Sequence, residues 1–277
     1  MIRRLAWAAA AIFVALVVAV PARCDDADDR SIDPLEPDFA VITLPTTLRL
    51  PKNTLAFRLT HRFTEGLDQG NFSNLAADFF GLDGGAQVSL ELRYGVTSRL
   101  QVGVSRVSDR TIEFFTQQEV LRQPASPLGL ALAASLEGLN NFKQQYSPRA
   151  AVVASRRLGD RAVVYAEPAF VGNTELPPRL PGQDQNTLVL GLGGRLRLGE
   201  SHYFVAEVSP RLAGYKGDMG HGDAGTKAAF GLEARVGGHV FQLNVSNDVG
   251  TTPAQTARGR RGLSNWFLGF NLSRKFY

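Results

Sequence analysis

The chain has 277 residues, with 30 Lys and Arg against 26 Asp and Glu, and its mean hydropathy of −0.08 is too polar for a bundle of membrane helices. The same average suits a membrane barrel, where only alternate residues meet lipid. The basic excess comes with no helical basic stripe and no aromatic stacking platform, so nucleic acid is not an expected partner.

Residues 1–22 open with Arg3 and Arg4, continue as an apolar run over residues 5–20 and end on Val20, Pro21 and Ala22. That order of charge, grease and small residues predicts a secretory signal peptide, cleaved after Ala22. Cys24 follows Arg23, a poor setting for lipidation, and as the single cysteine it has no intrachain disulfide partner. Residues 23–38 hold seven acidic and two basic residues, which leaves the chain from Phe39 onward at +7 once Arg3 and Arg4 are removed. So acidic a stretch, broken by prolines, is expected as a mobile periplasmic tail. The next segment, "FAVITLPTTLRLPK" (39–52), is apolar and has no evident strand partner; residues 23–52 thus form a tail and pre-barrel segment.

From residue 53 onward the period is two. "NTLAFRLTHRF" sets Leu55, Phe57, Leu59 and Phe63 against Arg58 and Arg62, and "AQVSLELRYGV" sets Val88, Leu90, Leu92 and Tyr94 against Glu91 and Arg93. Successive strand side chains point to opposite faces, so each is a strand with one apolar and one charged face. Twelve such runs begin near Asn53, Ala86, Arg99, Thr111, Leu128, Arg149, Arg161, Thr187, His202, Thr226, His239 and Leu263. Those at Thr111, Arg149 and Arg161 have ambiguous parity. Apart from the tight "SDR" (108–110), the connections alternate between long and short. This predicts an all-β fold over residues 53–277: a closed, up-and-down antiparallel transmembrane β-barrel of about 12 strands, with long outer loops and short periplasmic turns. Lipid cannot satisfy an open sheet edge, so the last strand must close against the first. A soluble sandwich is the competing fold, but its outward faces would not carry Arg and Glu at the middle of run after run.

The charged faces place Arg58, Arg62, Glu91, Arg93, Arg195, Arg197, Glu207, Arg211, Lys227, Glu233 and Arg235 on the lumen, where opposite signs on neighbouring strands form an Arg/Glu lattice. Phe63, Tyr94, Trp266 and Phe276 are the expected aromatic girdle. The last run, "NWFLGFNLSRKFY", keeps Phe276 in phase with the apolar face while Tyr277 lies one residue beyond, a slight departure from the terminal aromatic that barrel-insertion machinery reads.

"ITLPTTLRLPKNTLAFRLTHRF", "LELRYGVTSRLQVGVSR", "GGHVFQL" and "LGFNLSRKF", in this order over residues 42–277, resemble the bacterial outer-membrane β-barrel family catalogued as domain of unknown function 5777. The resemblance implies a Gram-negative outer-membrane barrel, and it supplies no catalytic residues, metal or cofactor.

Other chemistry is thin. Asp218, Met219, His221 and Asp223 gather in a glycine-rich loop that resembles a solvated turn more than a metal site. Arg258, Arg260 and Arg261 sit in an outer loop, where lipopolysaccharide phosphates are potential partners. His61 and Ser264 share the lipid-facing parity on neighbouring strands, as a hydrolase pair would, but no third group or oxyanion hole is identifiable. The sequence therefore leaves two main readings, neither of them enzymatic: a porin-like channel for small polar solutes, and a structural or partner-binding barrel plugged by the lattice and by residues 39–52 beneath or inside the wall.

Overall fold

The structure is a computed structural model that describes residues 33–67, 85–175, 185–215, 225–259 and 265–276. The signal segment, Cys24, the Asp218–Asp223 cluster, Arg260, Arg261, Ser264 and Tyr277 lie outside the described residues.

The wall is one antiparallel sheet: β1 (Leu55–Phe63), β2 (Ala86–Gly95), β3 (Leu100–Val107), β4 (Ile112–Leu121), β5 (Gly129–Gly138), β6 (Gln144–Leu158), β7 (Ala162–Val171), β8 (Thr187–Arg197), β9 (His202–Ser209), β10 (Arg211–Gly214), β11 (Lys227–Val236), β12 (His239–Ser246) and β13 (Phe267–Phe276). Each strand pairs with its sequence neighbour except at β10, which pairs with β8, while β9 bridges β8 and β11. β9 and β10 act as one strand interrupted at Pro210, which has no N–H to donate; its carbonyl still accepts from the Leu190 amide at 3.0 Å. Counted so, twelve strands surround the lumen. The sheet closes where β13 pairs with β1, from Leu55 opposite Phe276 to Arg62 opposite Gly269. No described helix is long and apolar enough to cross a membrane; the crossing is made by strands.

The alternation read from the sequence governs the two faces. In β13, Gly269, Asn271, Ser273 and Lys275 are buried toward the lumen, while Leu268, Phe270, Leu272 and Phe276 face outward. Leu92, Phe114, Phe241, Leu243 and Leu232 belong to the same outward belt, and Leu232 is 60% exposed. An outward apolar belt around a closed barrel is the surface that a membrane barrel presents to hydrocarbon.

Two of the ambiguous runs have a packing cause. The inner faces of β5, β6 and β7 carry Ala131, Ala133, Ala151, Val153, Val163, Tyr165 and Ala169, so both faces of these strands are apolar. In β4 the register shifts between Glu119 and Leu121, and Phe115 turns inward to lie over the Arg93 guanidinium at 4.7 Å.

Leu232→Arg tests the outward belt. Leu232 is central in β11, and Arg at the middle of the hydrocarbon costs about 2–4 kcal/mol against roughly 0–1 kcal/mol near an interface. The fraction of protein showing heat-modifiable gel migration after folding into lipid vesicles should fall sharply for Leu232→Arg and little for Leu196→Arg, which lies close to the tight-turn rim.

Candidate functional site

The lumen is occupied by the chain itself. Residues 33–52 enter at the rim that carries the tight turns and both strand termini, rise to mid-barrel, turn over residues 41–44 and descend to β1. The turn is a small hairpin: the Val41 amide donates to the Leu44 carbonyl at 2.8 Å, the Thr46 amide donates to the Phe39 carbonyl at 2.9 Å, and Ala40 bridges Pro45. Residues 33–38, expected in a mobile tail, are thus part of a packed interior. Their charge finds opposite charge there: Asp38 pairs with Arg58 at 3.3 Å, and Asp33 with Arg157.

The hairpin backbone is held by wall side chains on all sides. Arg195 donates to the Ala40 carbonyl (3.0 Å), Gln242 to Val41 (2.6 Å), and Arg58 and Asn271 both to Ile42 (2.7 and 3.0 Å). Gln117 donates to the Thr46 carbonyl, and Gln101 both donates to Leu48 and accepts from the Leu50 amide. The Thr47 and Ser155 hydroxyls meet at 2.6 Å.

At the tip, Glu207 of β9 accepts hydrogen bonds from the amides of Ile42, Thr43 and Leu44 at 2.8–3.1 Å and from the Thr43 hydroxyl at 2.6 Å, while Lys227 pairs with it at 3.1 Å. Three successive N–H groups aimed at one carboxylate form an anion nest, and here the anion belongs to the barrel wall. Leu35, Val41, Ile42 and Leu44 meanwhile pack on Val163, Tyr165, Val205 and Ala229, which accounts for the apolar inner face of β7.

Two hairpin carboxyls show how this environment acts on charge. Burial, and then the neighbouring Asp33, push the Glu36 carboxyl up; burial also opposes ionisation of Asp38, but Arg58, then Lys275 and Arg195, hold that carboxyl below the usual aspartate range.

Of the charges expected on the lumen, Arg58, Arg62, Arg93, Arg195, Glu207, Lys227 and Glu233 are buried inside the barrel. Arg195 makes a bidentate pair with Glu233 (2.9 and 3.1 Å), and Arg93 pairs with Glu91 at 2.8 Å while lying over the Phe39 ring at 4.6 Å. Arg62 donates to Asn271 at 2.9 Å. Arg197 instead curls onto the carbonyls of Gly199 and Glu200 at the tight-turn rim; Arg235 is half-buried close to that rim. Arg211 sits at the other rim, donating to Ala257 and Thr256. Sequence parity missed Glu113, Glu137, Arg149 and Glu167, all buried, because they fall in or beside the runs whose parity was ambiguous. The amides Gln101, Gln117, Gln242 and Asn271 carried no signal beyond being polar on the inner face.

On the outer face, Tyr94 donates to Asn53 at 2.9 Å, Phe276 lies under Arg274, and the Trp266 and Phe230 rings lie 5.8 Å apart. Phe63 is buried in an aromatic cluster with His61 and Phe270. The His61 ring stacks on Phe270 at 4.7 Å. Its expected hydroxyl partner, Ser264, is outside the described residues.

The rim with the long connections is narrowed by a second element. Between β12 and β13 the chain folds inward as a short helix, α1 (Pro253–Arg258), started by a capping box between Thr252 and Gln255 with Pro253 in its first turn. Ala254 and Ala257 pack on Val171 and Val189. Arg258, expected to face lipopolysaccharide, points inward instead and donates to Glu137 at 2.6 Å and Ser147 at 3.0 Å, because the helix turns its last residue toward that buried carboxylate. Between α1 and the hairpin tip remains a void of about 30 Å³, space for a single water rather than a solute. Beside α1, a vestibule of about 550 Å³ is lined by residues of the long-connection rim.

A family model described as a membrane bound beta barrel domain, domain of unknown function 5777, matches residues 38–276. No curated protein sequence is detectably similar. Among solved structures, the NanC porin aligns with a TM-score of 0.55 at 9% identity, over 80% of this chain and 100% of its own. The KdgM porin in complex with disordered oligogalacturonate aligns at 0.48 and 9%, over 81% and 99%. Outer membrane phospholipase A from Escherichia coli aligns at 0.43 and 13%, over 81% and 90%. At such identities the likeness to the NanC porin is one of fold.

Proposed function

This chain belongs to the membrane bound β-barrel domain family, and from that premise we propose that it is a porin-like barrel of the outer membrane held shut at rest by its own residues 33–52. Small polar solutes pass only when the hairpin withdraws toward the periplasm. Lipid and lipopolysaccharide surround the belt, and the insertion machinery reads β13 during assembly. The observation that carries the reading is the grip of Glu207 on three hairpin amides. A permanent, purely structural plug has no need for so polar a seat, since matched apolar surfaces would fill the lumen as well; the polar contacts of the seat can be exchanged for water when the hairpin leaves, and only the small cluster around Leu35, Val41, Ile42 and Leu44 opposes withdrawal. The second reading, a permanently plugged barrel that docks a partner, draws on the apolar contacts of Val41, Ile42 and Leu44. The reading makes no use of His61, whose ring stacks on Phe270 at 4.7 Å.

A reversible lock separates the two. In a Cys24→Ser background, Thr47→Cys with Ser155→Cys replaces hydroxyls that already touch, a geometry a disulfide can bridge. In planar bilayers the reduced protein should show intermittent openings, and the oxidised protein none. Permanent silence in both states would favour the fixed plug, and steady conductance through the oxidised form would exclude the hairpin as the gate.

A further inference from the structure

The vestibule beside α1 is not needed by the gating hairpin, yet its lining is built rather than incidental. Thr111, fully buried, has a hydroxyl with no hydrogen-bond partner among the described residues; Asp248, 5% exposed, has one carboxylate oxygen without a partner; and the Nε of Arg258 is likewise unmatched. All three residues line the vestibule. The rest of each group is tied down: Asp248 accepts from the Gly250 amide at 2.8 Å through its other oxygen, Arg258 donates to Glu137 and Ser147, and the Thr111 amide donates to Asp109 at 2.9 Å. Asp109 also accepts from Gln255 at 2.8 Å. Fixed, dehydrated acceptors and donors without partners are costly, and in residues that line a cavity they gain partners when an occupant draws them to it.

The chemistry of the lining selects the occupant. Two carboxylates, Asp109 and Asp248, stand against two guanidinium groups, Arg110 and Arg258, so the vestibule carries no net formal charge. An ionic solute would be favoured by one pair and repelled by the other. Hydroxyls both donate and accept, so a solute that carries several can answer an unpaired carboxylate oxygen, an unpaired guanidinium N–H and a threonine hydroxyl. The volume lies within the range of small-molecule sites and exceeds what a single ion would use.

We propose that this vestibule is a binding site for a neutral polyhydroxylated solute of mono- or disaccharide size, held by the Asp248 carboxylate, the Thr111 hydroxyl and the Arg258 guanidinium at the outer mouth. The site is complete with the hairpin in place, so it does not rest on the gating reading.

The test is equilibrium titration of sucrose into the full-length refolded barrel with the Thr47–Ser155 lock oxidised, so that permeation plays no part. Galacturonate and glucosamine serve as anionic and cationic comparators. Sucrose should bind saturably in the millimolar range, with both charged sugars at least about tenfold weaker. Asp248→Asn keeps the oxygen that accepts from Gly250 but removes the charge, and Thr111→Val keeps shape without the hydroxyl; each should weaken sucrose about tenfold while heat-modifiable migration is unchanged. Absence of saturation up to about 100 mM, sucrose affinity untouched by both variants, or preference for a charged sugar would each overturn the proposal.

Discussion

Glu207→Ala should convert a mostly silent barrel into one that conducts in long, stable steps. In the closed state the Glu207 carboxylate is the acceptor for the Ile42, Thr43 and Leu44 amides and for the Thr43 hydroxyl, and it is the partner of Lys227, with both charged side chains almost wholly excluded from solvent. Alanine leaves those donors and the ammonium group facing each other in a closed interior. Each stranded buried donor costs about 1–3 kcal/mol, and the loss of one partner from a buried ion pair about 3–5 kcal/mol. Withdrawal of the hairpin returns the amides to water and admits water to Lys227, so the penalty falls on the closed state. A bias of about 4 kcal/mol moves the open-to-closed ratio on the order of a thousandfold. Glu207→Gln, which keeps one acceptor oxygen but no charge, should lie between. Planar-bilayer recording reads both. A Glu207→Ala barrel that keeps heat-modifiable migration and yet stays silent would show that the nest does not hold the hairpin.

A second route to the same open state leaves every charge in place. Gly191 and Gly193 of β8 form the slot for the Leu44 side chain: a Cβ built on Gly191 would lie 2.2 Å from Leu44 Cδ1, and one on Gly193 2.8 Å from Leu44 Cδ2. At such separations the Leu44 side chain must move, and a leucine at position 191 claims the space that side chain fills, with Glu167 Cβ in contact 3.5 Å away on the other side. Overpacking of this kind costs about 1–3 kcal/mol even where neighbours yield. Gly191→Leu should therefore expel the hairpin tip. Trypsin added at the periplasmic face should then cleave after Arg49 much faster than in the unaltered protein, where Arg49 is paired with Glu119 at 3.1 Å. The conductance step should match that of Glu207→Ala, since both expose the same wall. Leu44→Ala added to Gly191→Leu should restore closure, because residues in direct contact compensate when volume is returned. If the double variant conducts like the single one, the slot is not what seats the hairpin.

These two experiments also mark the boundary of what could be read from residue order. Arg58, Glu91, Arg93, Arg195, Glu207 and Glu233 were recognisable as lumen residues because each sits mid-run opposite Leu or Phe. What each of them binds was not recognisable: Glu207 grips residues 163–165 positions away, and Arg195 donates to a carbonyl 155 positions away. The acidic stretch near the start illustrates the same limit. Composition alone describes Asp33, Glu36 and Asp38 as solvated, and the barrel supplies Arg157, Tyr165 and Arg58 to receive them. Arg258 likewise reads as an exposed loop cation until the capping box between Thr252 and Gln255 turns its helix into the mouth and brings it to Glu137.

The order of residues by itself determined the wall: strand number, the outward belt, the tight and long rims and the need for β13 to meet β1. All of these follow from a period of two and from the backbone's demand for partners in lipid, both of which act between near neighbours or on the sheet as a whole. Only the tertiary structure decided that the lumen is filled, by which segment, and that α1 narrows the opposite mouth. Those outcomes rest on backbone carbonyls and amides meeting side chains from many separate strands, and a peptide group looks the same at every position until the fold brings a partner to it.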